Sequence, residues 1–310
     1  MMPDIIRIAT RRSPLAMKQA EMVRDGLLAA HADLRDEQIE LLPMTTTGDE
    51  IQDRTLQEAG GKGLFTKEIE QALLDGRADL AVHSMKDMPV VSPPGLVIDC
   101  LLKRADPRDA LISLKYHALD ALPDGAVIGT ASVRRQALVK RLRPDLKVVP
   151  FRGNVQTRLA KLAAGDVDAT FLAVAGLDRL DAAEHITTAM EPEEMLPAVA
   201  QGAIGVQRRG DDTRMKQALA PLNCAETTAC VDAERGLLTV LDGSCRTPIA
   251  GYATLNDGKD TLYLRGSVTH PDGGFHQADE IIGPRDQAEA LGRTLGERLR
   301  EYLPRLQTKA

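Results

Sequence analysis

The stretch Ala81-Val-His-Ser-Met-Lys-Asp-Met-Pro89 places a serine, a lysine and a lone carboxylate where a short apolar run ends. If Leu80 to Val82 closes a strand of an open α/β sheet, Ser84, Lys86 and Asp87 project from its carboxyl edge, where such sheets bind ligands. Pro89 suits a strand end, because it lacks the N–H that would continue a ladder and restrains Met88 before it. That edge is a place for chemistry; the alternative is a strand end with a solvated ion pair. His83 reads as a hydrogen-bonded structural histidine. A second reactive feature is the loop Leu241-Asp-Gly-Ser-Cys-Arg-Thr-Pro248. Cys245 there is accessible and its thiolate is favoured by the neighbouring arginine, whereas Cys100, Cys224 and Cys230 lie in apolar or helical stretches and read as packing residues. No CxxC pair or Cys/His cluster suggests zinc or a disulfide framework. A cysteine hydrolase needs a histidine partner that the sequence does not identify; the other reading is covalent attachment of a group to Cys245.

The net charge of −6 conceals an asymmetry. From Thr130 to Lys161 there are nine Lys/Arg against the single acid Asp145, so this segment is +8 and the remainder −14. A basic block in an acidic chain points to a small anionic ligand, because the remainder would repel nucleic acid. With no Trp and 3% aromatic residues, stacking on bases is poorly supplied. The arginines recur at one kind of place. Strand-like Ile5 to Ala9 leads into Thr10-Arg-Arg-Ser-Pro14 and a helix to about Ala30, with Ser13 as its cap and Pro14 at its first position. Ala126 to Gly129 leads into Thr130-Ala-Ser-Val-Arg-Arg135 and a helix toward Leu142. Val148 to Phe151 leads into Arg152-Gly-Asn154 and a helix carrying Arg158, closed near Gly165. Each turn opens a helix whose free N–H groups favour an anion, with arginine forks beside them.

These features need a frame that repeats. Strand-like Glu40 to Met44, Leu80 to Val82 and Ala169 to Val174 alternate with helices, which predicts parallel or mixed sheets in two similar α/β halves flanking a cleft. Leu101 to Arg108 and Leu196 to Gly202 read as crossings between the halves. From about Cys224 the pattern changes to a helix (Ala225 to Leu241), strands near Ile249 to Leu255 and Leu262 to Val268, and a final helix from Asp286 to Tyr302, a small α+β domain. At 310 residues, with 43% apolar and 27% charged content, the chain suits two or three globular domains. No apolar stretch reaches spanning length and no secretory leader is evident, so a cytoplasmic protein without membrane partners is expected. Gly60-Gly-Lys-Gly-Leu-Phe65 lacks the Ser/Thr of a phosphate loop and reads as a lid bringing Lys62 and Phe65.

Taken in order, Arg7 to Ala16, Gly60 to Phe65, His83 to Pro89, Gly129 to Arg135, Arg152 to Arg158 and the Cys245 loop resemble the porphobilinogen deaminase family over essentially the whole chain. The resemblance implies two domains built like type II periplasmic binding proteins plus a third. These are residues 1–102 with 200–221, residues 103–199, and residues 222–310. It also implies a dipyrromethane cofactor thioether-linked to Cys245, and head-to-tail condensation of four porphobilinogen molecules with loss of ammonia, followed by hydrolytic release of the linear tetrapyrrole. By the same resemblance Ser84, Lys86, Thr130, Ser132, Arg134, Arg135 and Arg158 hold the cofactor. Arg11, Ser13, Gln19, Arg152, Arg158, Arg179 and Gln201 hold substrate, and Asp87 is catalytic. A monomer using no metal is expected. Ala200 departs from the family, which usually has glycine there. A two-lobed carboxylate-binding protein would explain the arginines and leave Cys245 and the third domain unexplained.

Overall fold

A computed structural model of the chain describes residues 5–50, 66–241 and 247–306. Lys62, Phe65 and Cys245 lie outside the described residues. Contacts divide the chain into two compact units, residues 1–105 with 203–228, and residues 106–202 with 229–310.

The first unit is built on β1 (Ile6–Arg11), α1 (Pro14–Ala30), β2 (Ile39–Met44), the short α2 (Thr47–Glu50), α3 (Lys67–Leu74), β3 (Leu80–Ser84) and β4 (Leu96–Leu101). The second begins with β5 (Asp109–Ile112), β6 (Val127–Gly129), α4 (Val133–Leu142), β7 (Lys147–Val149), α5 (Val155–Ala163), β8 (Ala169–Ala173), α6 (Val174–Arg179) and β9 (Thr188–Ala189). The chain then returns to the first unit with β10 (Ile204–Arg209) and α7 (Thr213–Leu219). After α8 (Ala225–Val240) come β11 (Ile249–Leu255), β12 (Thr261–Thr269), β13 (His276–Pro284) and α9 (Ala288–Arg300).

The first sheet has the order β2-β1-β3-β10-β4, with β10 antiparallel to both its neighbours. The second has the order β7-β6-β8-β5-β9, with β5 antiparallel to both neighbours. Position for position these are one topology: second, first and third strands in parallel, then an antiparallel strand, then the last. In each sheet the antiparallel strand is the one next to a crossing. This is the mixed-sheet arrangement expected of type II periplasmic-binding-protein-like domains. The antiparallel strands β5 and β10 carried no distinct sequence signal, because a central strand buried on both faces shows no alternation.

Local chemistry sets the turns as expected. Ser13 caps α1 by accepting from the Ala16 amide at 3.4 Å, with Pro14 in the first turn. Ser132 caps α4 through the Arg135 amide, also at 3.4 Å, and Asn154 caps α5 through the Thr157 amide at 2.8 Å. Between β6 and α4 the fit is tight: a Cβ on Gly129 would stand 2.6 Å from Phe151 Cγ, so the strand end tolerates only glycine.

Separate cores support the parts. Ile6, Ile8, Val23, Leu27, Leu80 and Val206 anchor the first unit. In the second, Leu111, Ile128, Leu146 and Phe171 lie on one side of the sheet and Ile112, Leu172 and Leu177 in another cluster. The C-terminal sheet, in the order β11-β12-β13, has its own core of Leu237, Leu262, Leu264, Leu295 and Leu299 beneath α8 and α9.

Candidate active site

Within the first unit, β3 delivers the signature residues to one edge. The strand ends at Ser84 and tightens into a single turn, Met85–Asp87, that leaves Lys86 and Asp87 exposed and tucks Met85 into the core. Among the described residues Asp87 has no hydrogen-bond or ion-pair partner, so its carboxylate supports nothing in the fold. Ser84 behaves differently. Gln19, buried on α1, donates from Nε2 to Ser84 Oγ at 2.8 Å, and the serine lies 3.2 Å from Gln19 Oε1, so the two expected ligand-binding residues hold each other. Arg11 ends β1 and Ser13 follows at the helix cap, which puts both at the carboxyl end of a strand adjacent to β3.

Behind this edge lies a polar chain that sequence reading did not find. His83 Nε2 is 2.9 Å from Gln207 Oε1, Gln207 donates to Glu70 Oε1 at 3.3 Å, and Thr66 donates to Glu70 Oε2 at 3.2 Å, all buried. Burial above all, with a contribution from Arg11, pushes the His83 pKa down to about 4, so the ring is neutral near pH 7. The structural role expected of His83 holds.

In the second unit the arginines following β6 face a group that the sequence hid. Asp109, the first residue of β5, is completely buried, and both Arg134 and Arg135 pair with it at 2.8 and 2.7 Å. Arg135 also donates from Nε to the same carboxylate at 3.0 Å and from Nη1 to the Phe171 carbonyl at 2.6 Å. Arg134 donates from Nη1 to the Leu196 carbonyl at 2.9 Å. The two guanidiniums, 5% and 6% exposed, are therefore held in place rather than splayed at a helix mouth. Burial alone would raise the Asp109 carboxyl, but the two arginines and Gln201 outweigh it and hold the group well below the usual carboxylate range. A depressed carboxyl contributes stability that is complete above its unfolded pKa, about 3.9, and is lost only as the pH falls through the lower folded value. The cluster is thus fully charged at any working pH. Asp109→Asn should destabilise the protein by about 3–5 kcal/mol, since it strands two buried cations; a urea midpoint within experimental error of the parent's would refute this reading.

Gln201 completes the cluster, donating to Asp109 Oδ1 at 3.0 Å and to the Pro107 carbonyl at 2.7 Å. It is aimed there by its neighbour. Ala200 has φ of 58°, in the left-handed region, and its amide donates to buried Glu234 at 2.6 Å while the Ala253 amide donates to the other oxygen at 2.8 Å. For an L residue that backbone costs about 1–2 kcal/mol, which explains why a relative would carry glycine at this bend. Arg179, closing α6, donates from Nη2 to the Gly202 carbonyl at 2.7 Å, and burial draws its pKa down to about 10. Thr130 is buried and accepts from the Ser132 amide at 3.2 Å. Arg152 precedes Gly153, whose carbonyl accepts from Arg158 Nε at 2.9 Å.

Two of the arginines expected to bind ligand have a spare donor. Arg134 Nε and Arg179 Nε are buried without a hydrogen-bond partner among the described residues. Dry guanidinium N–H groups are costly unless an acceptor meets them, and the acceptor that matches arginine best is a carboxylate or phosphate. No group of three or more His, Cys, Asp or Glu among the described residues could hold a metal ion. The second unit can therefore hold acidic groups on fixed cations, and the first presents, in the turn after β3, a carboxylate without a partner among the described residues.

A family model described as porphobilinogen deaminase, dipyromethane cofactor binding domain, matches residues 6–217, and the corresponding C-terminal domain model matches residues 228–301. A curated porphobilinogen deaminase from Paracoccus denitrificans (strain Pd 1222) is 53% identical over 306 residues, covering 98% of this chain and 97% of the relative. Among solved structures, the methionine-binding protein MetQ matches 71% of this chain and 91% of its own at 13% identity and a TM-score of 0.46. A methionine-binding lipoprotein from Bacillus subtilis matches 72% and 92% at 14% identity and a TM-score of 0.44.

Proposed function

This chain belongs to the porphobilinogen deaminase family, and from that premise we propose a role for each side chain of its site. The activity itself is that of a transferase in tetrapyrrole biosynthesis: it condenses porphobilinogen units head to tail onto a dipyrromethane cofactor and releases hydroxymethylbilane. In each condensation the C–N bond of the substrate's aminomethyl group breaks and ammonia leaves. A C–C bond then forms and a pyrrole proton departs; in the last step the C–C bond joining the finished chain to its point of attachment breaks, water supplying the hydroxyl to the released chain and a proton to the carbon left behind. When bound, the dipyrromethane supplies the nucleophilic pyrrole carbon.

The observation that carries the assignment is the pair of buried, unpartnered arginine nitrogens, Arg134 Nε and Arg179 Nε. Every pyrrole ring of this chemistry bears an acetate and a propionate, so the donors fit the group. In our reading Ser84, Lys86, Thr130, Ser132, Arg134, Arg135 and Arg158 hold the cofactor's carboxylates, and Cys245 holds the cofactor itself. Arg11, Ser13, Gln19, Arg152, Arg158, Arg179 and Gln201 hold incoming or growing pyrroles. Arg135 contributes mainly through Asp109, since three of its nitrogens are already engaged there and on Phe171. Asp87 sits beside the positive charge made when ammonia leaves and receives pyrrole N–H protons.

The experiment separates the two groups of arginines. Arg134→Ala should leave protein that fails to acquire the cofactor, read by intact mass, whereas Arg11→Ala and Arg152→Ala should acquire it and elongate about ten-fold or more slowly. Identical behaviour of all three variants would end the division.

We further propose that residues 222–310 form a third domain and that the protein is a cytoplasmic monomer that uses no metal. The buried free thiol of Cys100 suits a reducing compartment, and a single chain carries every residue named above. Sedimentation at micromolar concentration checks the monomer. No helix among the described residues is long and apolar enough to cross a membrane.

A further inference from the structure

The C-terminal sheet has one apolar and one polar face. Along β12, Leu262, Leu264 and Val268 pack into the core with α8 and α9, so period-two alternation turns Tyr263, Arg265, Ser267 and Thr269 the other way. Opposite them on β13 stand Ile282, Glu280, Ala278 and His276. A cavity of about 330 Å³ opens over this face, within the second unit, lined also by Leu138 and Arg141 of α4 and by the segment from Pro192 to Leu196.

The floor of that cavity holds donors without acceptors. Ser267 is 1% exposed and its Oγ has no hydrogen-bond partner among the described residues. Arg265 Nε is buried and equally unpartnered, although Nη1 of the same guanidinium pairs with Glu193 at 2.5 Å. His276 spends Nδ1 on Thr269 Oγ1 at 2.8 Å, and burial together with Arg141 lowers its pKa to about 4. Two dry donors on adjacent inward positions of one strand call for an anionic acceptor. The rim has the opposite character, for Glu193, Glu194 and Glu280 are all exposed there. An inorganic anion would satisfy the floor and be repelled by the rim; a simple amine would do the reverse.

We propose that this cavity binds a small zwitterion, its carboxylate accepting from Arg265 Nε and Ser267 Oγ and its primary ammonium lying among Glu193, Glu194 and Glu280. The volume lies at the small end of ligand pockets. The site is separate from the residues assigned to catalysis but shares an element with them: Leu138 and Arg141 lie one and two turns along α4 from Arg134, and the Leu196 carbonyl in the lining segment accepts from Arg134. An occupant therefore bears on the helix that carries the proposed cofactor arginines. A free amino acid and porphobilinogen itself both carry this pair of charges.

The test titrates 4-aminobutanoate into the full-length holoenzyme by calorimetry, with butanoate and 1-aminobutane as single-charge comparators. Millimolar binding, at least about ten-fold tighter than either comparator and weakened about ten-fold or more by Ser267→Val and by Arg265→Met with kcat unchanged, is the expected result. Equal affinity for butanoate, absence of binding at about 10 mM, or binding that survives both substitutions would overturn the proposal. The comparators act on unaltered protein, so the test does not depend on a variant folding. A porphobilinogen arm separates the sources: inhibition at high substrate that Ser267→Val relieves assigns the site to the substrate, and unchanged steady-state behaviour beside 4-aminobutanoate binding assigns it to a free amino acid.

Discussion

Asp87→Asn should lower kcat by about 10²–10³-fold while the intact mass still shows the cofactor in place. The size follows from charge and position. A carboxylate about 4 Å from a developing cation contributes roughly 4 kcal/mol at an effective dielectric near 20, and an amide of the same shape contributes little of that. The fold does not need the charge, because Asp87 is exposed and has no partner among the described residues. The stability change should therefore remain within about 0.5 kcal/mol, so a loss of turnover cannot be ascribed to unfolding. The loss should fall on kcat more than KM, since the positive charge arises only as ammonia departs. Turnover within two-fold of the parent, with cofactor verified, would remove Asp87 from the chemistry.

Cys245→Ser should give protein with no measurable turnover and an intact mass short of two linked pyrroles. Serine preserves shape but not the thiolate, which is the nucleophile needed to form the thioether. The arginine cluster around Asp109 does not depend on Cys245, so the variant should keep the parent's urea midpoint once compared with cofactor-free protein; bound cofactor adds its own stabilisation by mass action. A retained pyrrole mass would move the attachment to another residue. Of the other cysteines, Cys100 is an unsuitable alternative, since burial pushes its pKa up to about 12.

What the sequence made legible was punctuation and periodicity. Ser13, Ser132 and Asn154 each announced a helix start through the acceptor they carry, and each caps its helix. The strand end at Ser84 was marked by Pro89 and by the change from apolar to charged residues. Long-range pairing was not legible. Asp109 precedes an ordinary apolar run, Ala-Leu-Ile, and nothing local shows that two arginines some 25 residues later close on it. The only available signal was the excess of arginine itself, which in a buried setting requires a counter-charge. Gln207 was hidden for the same reason, being brought to His83 and to Glu70 across separations of 124 and 137 residues along the chain. Ala200 stood out because a glycine was expected, and its left-handed backbone supplies the reason.

The late return of β10 also sets an order of assembly during synthesis. Strand β3 is flanked by β1 on one side and on the other by β10, whose pairing residues lie more than a hundred positions further on. As the chain leaves the ribosome, β5 to β9 are complete and able to pair among themselves before Ile204 appears. Until then the strand that leads into Asp87 keeps one bare edge, and bare edges recruit strands from other chains. The five-stranded sheet begun first is thus completed after the other, and the interval between is when a nascent chain most needs a chaperone.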